Sequence, residues 1–247
     1  MAGLKLKKQE DCASCPIRHR AVCSKCEPDE LSLLEQMKTY RTYEAGEVMV
    51  WAGEQITHLG SVVDGVASIN RSMEDGRLQV VGLLLPSDFI GRPGRDRVIY
   101  DIVAVTHVTV CQFTKVEFER LLETSPAVGS RLLELTLDEL DAAREWMLLL
   151  GCKTAREKVA TFISMIARRA ALEADTSVDG VTIALPLSRG SMGNFLGLTL
   201  ETASRQMSAL KNDGIIELRG SQQVYVPDLE ALLDETGDDD DDGGLPA

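Results

Sequence analysis

The sequence predicts an α+β fold in which an N-terminal β-roll, of the double-stranded β-helix or jelly-roll type, precedes a long helix and a C-terminal winged helix-turn-helix domain. Three patterns predict these parts. Short alternating segments separated by glycines fill much of the first half of the chain. A heptad-spaced apolar stripe follows. A helical hairpin with two short strands behind it lies near the C-terminus.

Composition is that of an ordinary globular protein, with 44% hydrophobic and 26% charged residues. No apolar run approaches the roughly 18–20 residues of a membrane span. The N-terminus also lacks the apolar core of a signal peptide. We therefore expect a cytoplasmic protein that does not insert into membranes.

The net charge of −13 is unusual for a protein that binds nucleic acid, because phosphates must be neutralised. Nine of the negative charges lie between Asp228 and Asp242, and the rest of the chain carries a net charge of −4. The run Asp238–Asp242 with the glycines after it predicts a disordered acidic tail. Charge therefore permits nucleic-acid binding without arguing for it.

Four cysteines cluster near the N-terminus in the segment CASCPIRHRAVCSKC, as Cys12, Cys15, Cys23 and Cys26. They form two CxxC pairs separated by seven residues. In a reducing cytoplasm such pairs indicate metal binding rather than disulfides. By spacing alone, a zinc site that uses all four thiolates is the favoured interpretation, an iron–sulfur cluster is the next, and free thiols are the least favoured.

The region from about Tyr40 to Phe113 alternates between apolar and polar residues and is punctuated by turn signals such as Asp75-Gly76. Alternation continues through VAVTHVTVCQF. It puts six residues on one strand face: Val103, Val105, His107, Thr109, Cys111 and Phe113. Cys111 is then either a buried small apolar side chain or a distant fourth metal ligand, if the N-terminal arm folds over this strand.

A long helix begins at Ser125-Pro126, with serine as the cap and proline at the first helical position. Its apolar residues follow a coiled-coil pattern: Leu133, Leu140 and Met147 are seven apart, and Thr136, Ala143 and Leu150 lie between them. We interpret Leu133, Leu140, Ala143, Met147 and Leu150 as a symmetric dimer interface. The alternative is a core helix packed on its own roll.

The segment Thr199–Lys211 predicts a helix capped by Thr199, whose hydroxyl can accept a free backbone N–H. Its apolar stripe is Leu200, Ala203, Met207 and Leu210. Glu201, Ser204 and Arg205 share the opposite face near the start of the helix. The preceding helix, Ser188–Leu196, is closed by Gly197, and this arrangement is typical of a helix-turn-helix.

Two short strands, Ile215–Leu218 and Gln222–Val226, follow this hairpin as the wing of a winged helix. In that setting Arg205 is suited to bidentate bonding with guanine, and Glu201 to accepting from cytosine or orienting Arg205. Arg189 adds positive charge at the preceding helix. A plain helical hairpin with a solvated polar face is the alternative, and the wing favours DNA binding over it.

The order of roll, long helix and winged helix resembles the CRP/FNR family of bacterial transcription regulators over nearly the whole chain. WMLLL at 146–150, ISMIARR at 163–169 and SRGSMGNFLGLTLETASR at 188–205 are similar to the oxygen-sensing FNR branch. The resemblance implies that Glu201, Ser204 and Arg205 read TTGAT-type half-sites of palindromic promoter DNA. It also implies a homodimer that touches RNA polymerase through loops such as Pro86-Ser87-Asp88.

The same resemblance implies a 4Fe–4S cluster held by three N-terminal cysteines and one on the roll, here Cys12, Cys15, Cys23 and Cys111. The spacing after the first CxxC is longer than the family's usual one, and Cys26 leaves the third ligand ambiguous. We choose Cys23 because CPIRHRAVC is the segment most like the family's. The implied function is a global regulator that dimerises without oxygen and activates or represses transcription.

Members of the family that bind cyclic nucleotides carry a glutamate after Phe-Ile-Gly and an Arg-Ser pair further on. Here Arg92 follows Phe89-Ile90-Gly91, and RVIYDIVA stands where Arg-Ser belongs, so no cyclic nucleotide is expected. A constitutive dimer with a structural zinc site and another effector is the alternative. An enzyme is not expected, since no nucleophile–base pair or nucleotide-binding glycine motif is visible.

These expectations divide the chain into five parts. They are a cluster-binding arm (1–28), a sensor roll (29–124), a dimerisation helix (125–153), a DNA-binding domain (154–236) and an acidic tail (237–247).

Overall fold

The computed structural model describes residues 11–73, 75–76, 78–174, 179–220 and 222–238. The first ten residues of the predicted arm and the predicted acidic tail beyond Asp238 lie outside that part. Packing divides the chain into two units, Met1–Arg71 with Val81–Leu137, and Ser72–Val80 with Asp138–Ala247. We describe each unit by itself.

The first unit begins with a short 3₁₀ turn at Cys12–Ser14 and helix α1 at Pro28–Met37. A β-roll follows, and helix α2 at Lys115–Thr124 closes it. The strands are β1 Thr39–Tyr43, β2 Val48–Val50, β3 His58–Asp64, β4 Ala67–Ser72, β5 Leu78–Leu84, β6 Phe89–Ile90, β7 Asp101–Ala104 and β8 Val108–Thr114.

The roll consists of two four-stranded sheets, ordered β1-β8-β3-β6 and β2-β7-β4-β5. Their facing sides share one apolar core, to which Val62 and Val110 contribute from the first sheet and Ala67 and Ile102 from the second. Alternation along each strand sends every second side chain into this core. The predicted jelly-roll architecture is confirmed.

The predicted continuous strand through residues 103–113 is wrong, because the chain turns between β7 and β8 and each strand joins a different sheet. The turn wraps around Gly65, whose φ is +85° and where an added Cβ would lie 2.0 Å from the His107 carbonyl oxygen. Thr106 fixes it by accepting from the Val66 N–H at 2.9 Å. His107 is therefore not part of the strand face that carries Cys111.

Helix α3 spans Pro126–Cys152, as the cap signal predicts. The Ser125 hydroxyl accepts from the Val128 N–H at 3.2 Å, and Pro126 occupies the first turn, where its missing N–H costs nothing. The unit boundary at Leu137 falls inside this helix. Among the described residues, none of the helices combines the length and apolar character that crossing a bilayer requires.

The second unit contains the winged helix-turn-helix, also as predicted. Its elements are α4 Ala155–Ala174, β9 Asp179–Ala184, α5 Arg189–Leu196, α6 Leu200–Asn212, β10 Glu217–Arg219, β11 Gln223–Asp228 and α7 Leu229–Asp234. The strands form an antiparallel sheet in the order β10-β11-β9. The core beneath α6 contains Phe162, Phe195, Ala203, Met207 and Leu210, all buried.

Two details of this unit differ from the expectation. Leu200 was expected in the buried stripe of α6, but it is 51% exposed, because it lies in the first turn, ahead of the part of the helix that packs. The first wing strand begins later than predicted, since the N–H groups of Ile215 and Ile216 bond to the Leu210 carbonyl and terminate α6.

Candidate metal centre and nucleic-acid interface

Four cysteines line one cavity at the surface of the roll. Cys12, Cys15 and Cys23 come from the N-terminal arm, and Cys111 comes from β8. The structure therefore brings together the four residues that sequence analysis assigned as cluster ligands. Their neighbours in the wall are mainly apolar: Ile17, Ala21, Val22, Leu34, Tyr40, Ser61 and Phe113.

The arm reaches the cavity because its apolar residues are buried against the roll. Ile17 and Ala21 are 5% and 1% exposed and pack with Val63 of β3. The backbone of the arm runs through tight turns, which are closed by hydrogen bonds from the Arg18 N–H to the Cys15 carbonyl oxygen and from the Ala21 N–H to the Ile17 carbonyl oxygen. Burial of these side chains, rather than regular secondary structure, aims the thiols at one space.

Cys26 is absent from the cavity wall. It is 8% exposed and packs in an adjoining apolar core that contains Leu34 and Phe118. Burial, reinforced by Cys23 and Glu30, raises the pKa of the Cys26 thiol to about 12. Cys26 thus packs outside the cavity, whereas Cys23 lines it.

Cys111 is also held as a neutral thiol in the absence of a cation. Burial, then the neighbouring Cys12, Cys15 and Cys23, raises the pKa of Cys111 to about 12. The same three thiols are its partners in the cavity wall. Metal binding here must release protons, since thiolate is the form that binds metals.

The chemistry of this donor set fits an iron–sulfur group. Within the described ranges, no three Cys, His, Asp or Glu side chains form a ready-made site for a single ion. The thiols instead surround a largely apolar cavity. Thiolates are the ligands that iron–sulfur clusters prefer, and a surrounding apolar wall limits the access of solvent.

Two polar groups beside the thiols were not found by sequence analysis. Lys38 donates to the Cys12 sulfur at 3.2 Å, and the buried Ser61 hydroxyl lies in the cavity wall. No motif marks either residue, and only the packing of the arm on the roll reveals them.

The arm is also tied to the start of α3 within the first unit. Lys25 forms an ion pair with Glu134, and the Arg131 Nη2 donates to the Arg20 carbonyl oxygen at 2.6 Å. Hydrogen bonds from Lys25 and Arg131 lower the pKa of Glu134, which keeps its carboxylate ionised. The cysteine arm therefore contacts both the roll and the long helix.

The predicted DNA-reading residues lie on the first turns of α6. The Thr199 hydroxyl accepts from the Thr202 N–H at 3.1 Å, as predicted for a cap. Glu201 and Arg205 are exposed, and Ser204 is half-buried. Backbone and Thr199 hydrogen bonds lower the pKa of Glu201, so its carboxylate is ionised. These side chains form a polar face at the helix start.

The turn before α6 is tight enough to fix the two helices of the motif against each other. Gly197 has φ +64° and ends α5, as predicted. Gly193 packs so closely that an added Cβ would lie 2.7 Å from the Leu198 carbonyl oxygen. The positions of Glu201 and Arg205 therefore depend on a rigid turn, which is what a recognition helix requires.

Arg189 is less exposed than Arg205. It lies in the first turn of α5, after the cap Ser188, and is half-buried. Burial lowers the pKa of its guanidinium, and its Nη1 has no hydrogen-bond partner among the described residues. Its predicted role in DNA binding stays a prediction.

The predicted dimer stripe of α3 is largely exposed in the single chain. Leu133, Leu140 and Met147 are 60%, 45% and 73% exposed, and Ala143 is exposed as well. Leu150 is half-buried and lies beside Gly197. The opposite side of the helix packs within its unit, where Leu149 is buried and the Trp146 ring stacks on Phe195 at 4.0 Å. The outward stripe thus needs another partner.

The loop Pro86-Ser87-Asp88, which is predicted to contact RNA polymerase, is compact and closed by a hydrogen bond. The Leu85 N–H donates to the Asp88 carboxylate at 2.7 Å, and Ser87 is 7% exposed with φ 83°. The exposed part of this loop is small, and its role in polymerase contact stays a prediction.

Two family models match the chain. A Crp-like helix-turn-helix domain matches residues 157–235, and a cyclic nucleotide-binding domain matches residues 40–125. The transcriptional activator protein FnrL of Cereibacter sphaeroides is 57% identical over 236 residues, which cover 95% of each chain. The nitrogen fixation regulation protein FixK of Bradyrhizobium diazoefficiens is 37% identical, covering 84% of this chain and 86% of FixK.

A solved structure agrees with these relatives. FixK2 from Bradyrhizobium japonicum superimposes with a TM-score of 0.74 at 31% identity, covering 82% of this chain and 98% of that one. The similarity spans both the roll and the winged helix.

Proposed function

The chain belongs to the CRP/FNR family of transcription regulators, and from this premise we propose that it is an oxygen-responsive regulator whose DNA binding depends on a 4Fe–4S cluster. It is a transcriptional activator of the FNR/FixK type and not an enzyme. Regulators of this family bind promoter DNA and dimerise. The cluster, the oxygen response and the TTGAT-type operator are the proposed part.

One observation carries this proposal: Cys111 of the roll shares a cavity with Cys12, Cys15 and Cys23 of the arm, and Cys26 does not line it. A zinc site made from the two CxxC pairs would use Cys26 and would not need Cys111. The arrangement of the thiols therefore supports a cluster with one ligand from the roll.

The four thiolates would hold the cluster between the arm and β8. When bound, a 4Fe–4S cluster would supply reactivity towards oxygen, because oxygen oxidises and breaks down such clusters. The protein contributes the coupling: the arm contacts β8 through its cysteines and contacts α3 through Lys25 and Arg131. If the sulfur ligands lose their common partner, the arm keeps only its apolar packing on the roll, and its contacts with the start of α3 are weakened. The equilibrium between dimer and monomer then shifts towards the monomer.

The dimer positions two copies of α6 for two half-sites of a palindrome. Arg205 would bond to guanine, and Glu201 and Ser204 would complete the reading of each half-site. Contacts to RNA polymerase follow from the activator function and are proposed for loops of the roll.

The match of residues 40–125 to a cyclic nucleotide-binding domain raises a cyclic nucleotide as a second candidate effector. The residues at the expected binding positions argue against it. Arg92 stands where a ribose-binding glutamate is expected, and Arg97 donates to the Gly53 carbonyl oxygen at 2.7 Å. No Arg-Ser pair occurs in residues 97–104. We therefore assign the roll a role as scaffold for the cysteine site rather than as a nucleotide receptor.

Metal analysis of protein purified without oxygen tests the proposal. We expect iron and acid-labile sulfide in equal amounts, with visible absorption that fades in air. Zinc without sulfide would contradict the proposal and would favour a structural metal site with a different effector.

Two matched substitutions test the choice of the third arm ligand. Cys23→Ser should remove most of the iron, because Cys23 lines the cavity, whereas Cys26→Ser should retain it, because Cys26 packs in the neighbouring core. Iron and sulfide per chain, measured after identical anaerobic purification, give the result. Retention in Cys23→Ser with loss in Cys26→Ser would reverse the assignment.

A substitution on α3 tests the dimer interface. Leu140→Glu should weaken the anaerobic dimer by on the order of 2 kcal/mol or more, because each interface loses two buried leucines and gains two like charges. Val116→Glu is the control, since Val116 is 67% exposed on α2 and lies outside the stripe. Sedimentation equilibrium under nitrogen gives the dissociation constant, and an unchanged value in Leu140→Glu would exclude this stripe as the interface.

A further inference from the structure

Lys38 is buried beside the cysteine cavity. Its side chain is 5% exposed, and its Nζ lies 3.2 Å from the Cys12 sulfur and 3.7 Å from the Glu35 carboxylate. It also lies over the Tyr40 ring, 5.6 Å from the centroid. The position is fixed by the end of α1, where the Lys38 N–H bonds to the Leu34 carbonyl. A lysine ammonium is rarely buried unless negative charge lies nearby.

The charge of Lys38 is coupled to both parts of the cavity. Burial lowers the pKa of Lys38, but Cys12, Glu35 and Cys111 together raise it above the ordinary value. Cys12 belongs to the arm and Cys111 to the roll. Lys38 contacts Cys12 directly and lies over Tyr40, which pairs with Cys111 of β8, so its ammonium is near both chain segments that the proposed cluster would join.

Ser61 is the second polar group of this site. It lies on β3 directly opposite Cys111 on β8, and it is 3% exposed. Its Oγ has no hydrogen-bond partner among the described residues, although it lines the cavity. Burial of an unsatisfied hydroxyl is unfavourable, so a buried Ser61 donor that lines a cavity is suited to bond with a group bound there.

Lys38 donates to the Cys12 sulfur, and Ser61 brings a second hydrogen-bond donor into the wall of the same cavity. Hydrogen bonds and positive charge at the sulfur atoms stabilise the more reduced, more negative forms of an iron–sulfur group, and they are among the factors that set its reduction potential. The apolar residues of the wall cannot supply either effect.

We propose that Lys38 and Ser61 are positioning residues that donate to the sulfur atoms of the cysteine-bound group and slow its oxidation. This inference rests on the proposed function, because it assumes an iron–sulfur group in the cavity. Neither residue is a ligand, and both act through the sulfur atoms. Removing a donor should make the group easier to oxidise without removing its ligands.

The test compares Lys38→Met, Lys38→Arg and Ser61→Ala with the unmodified chain, all purified without oxygen. Ser68→Ala is the matched control, because Ser68 is equally buried in the roll but lies outside the cavity. Iron content is measured first. The reduction potential, the Fe–S stretching frequencies in resonance Raman spectra and the rate of bleaching in air follow.

We expect Lys38→Met and Ser61→Ala to retain iron, to show a lower reduction potential and to bleach about threefold faster or more. Lys38→Arg and Ser68→Ala should match the unmodified protein. If Lys38→Met does not assemble but Lys38→Arg does, the positive charge is needed at this position, as proposed. Failure of both would overturn the role of Lys38, since its packing rather than its charge would then be required.

An unmodified protein that holds no iron–sulfur group contradicts the proposed function. An unmodified protein that holds one, with identical potentials, Raman frequencies and bleaching rates in Lys38→Met and Ser61→Ala, overturns only this inference.

Discussion

Cys111→Ala should abolish cluster retention under anaerobic conditions. Cys111 is the one proposed ligand that the roll supplies, and it faces the three arm thiols across the cavity. Without Cys111 only the three arm thiols remain, and the proposed cluster lacks its fourth ligand. We expect iron and sulfide close to background and no visible absorption. The fold should persist, because replacing a half-buried cysteine with alanine removes only one sulfur atom.

Cys152→Ala is the matched control for this experiment. Cys152 is exposed at the end of α3 and lies outside the cavity, so its loss should leave the absorption spectrum unchanged. A full cluster spectrum in Cys111→Ala would exclude Cys111 as a ligand. The N-terminal cysteines would then have to hold their metal alone, which is the arrangement of a zinc site.

Arg205→Ala should cost on the order of 1–3 kcal/mol in operator binding and should relax discrimination at one base pair. Arg205 is exposed on the first turns of α6, one helical turn from the ionised Glu201, and the proposed function assigns it to a guanine of the operator. Titration of a TTGAT-type palindrome and of single-base variants, at one salt concentration, measures both effects.

Lys211→Ala supplies the comparison for Arg205→Ala. Lys211 lies in the last turn of α6, away from the polar face at the start of the helix. We expect it to affect binding weakly and uniformly, with a smaller dependence on salt. An equal loss for Arg205→Ala on operator and random DNA would identify Arg205 as a phosphate contact instead.

Local signals predicted the helices of this protein well. Ser125 and Thr199 cap α3 and α6 as expected, because a cap depends on residues three positions apart. Gly197 ends α5 through its left-handed conformation. The turn between β7 and β8 was missed because it depends on Gly65, some 40 residues away, and alternation alone does not reveal where a strand changes sheets.

The cysteine site could be predicted only in part from the residues. The spacing of Cys12, Cys15, Cys23 and Cys26 indicated metal binding but left zinc and iron–sulfur open. Cys111 was equally consistent with a buried apolar role until the family resemblance was considered. Lys38 and Ser61 carry no sequence signal, because their burial beside the thiols arises from the packing of the arm on the roll.

Coupling between the cluster and DNA affinity is the central claim, and one preparation measured in two states tests it most directly. Anaerobic protein with its iron quantified is titrated onto the palindrome, then exposed to air until the absorption is lost and titrated again. We predict tight binding by a dimer first, and weaker binding with more monomer afterwards. Iron-free protein that bound the operator as tightly as the iron-loaded form would contradict the account.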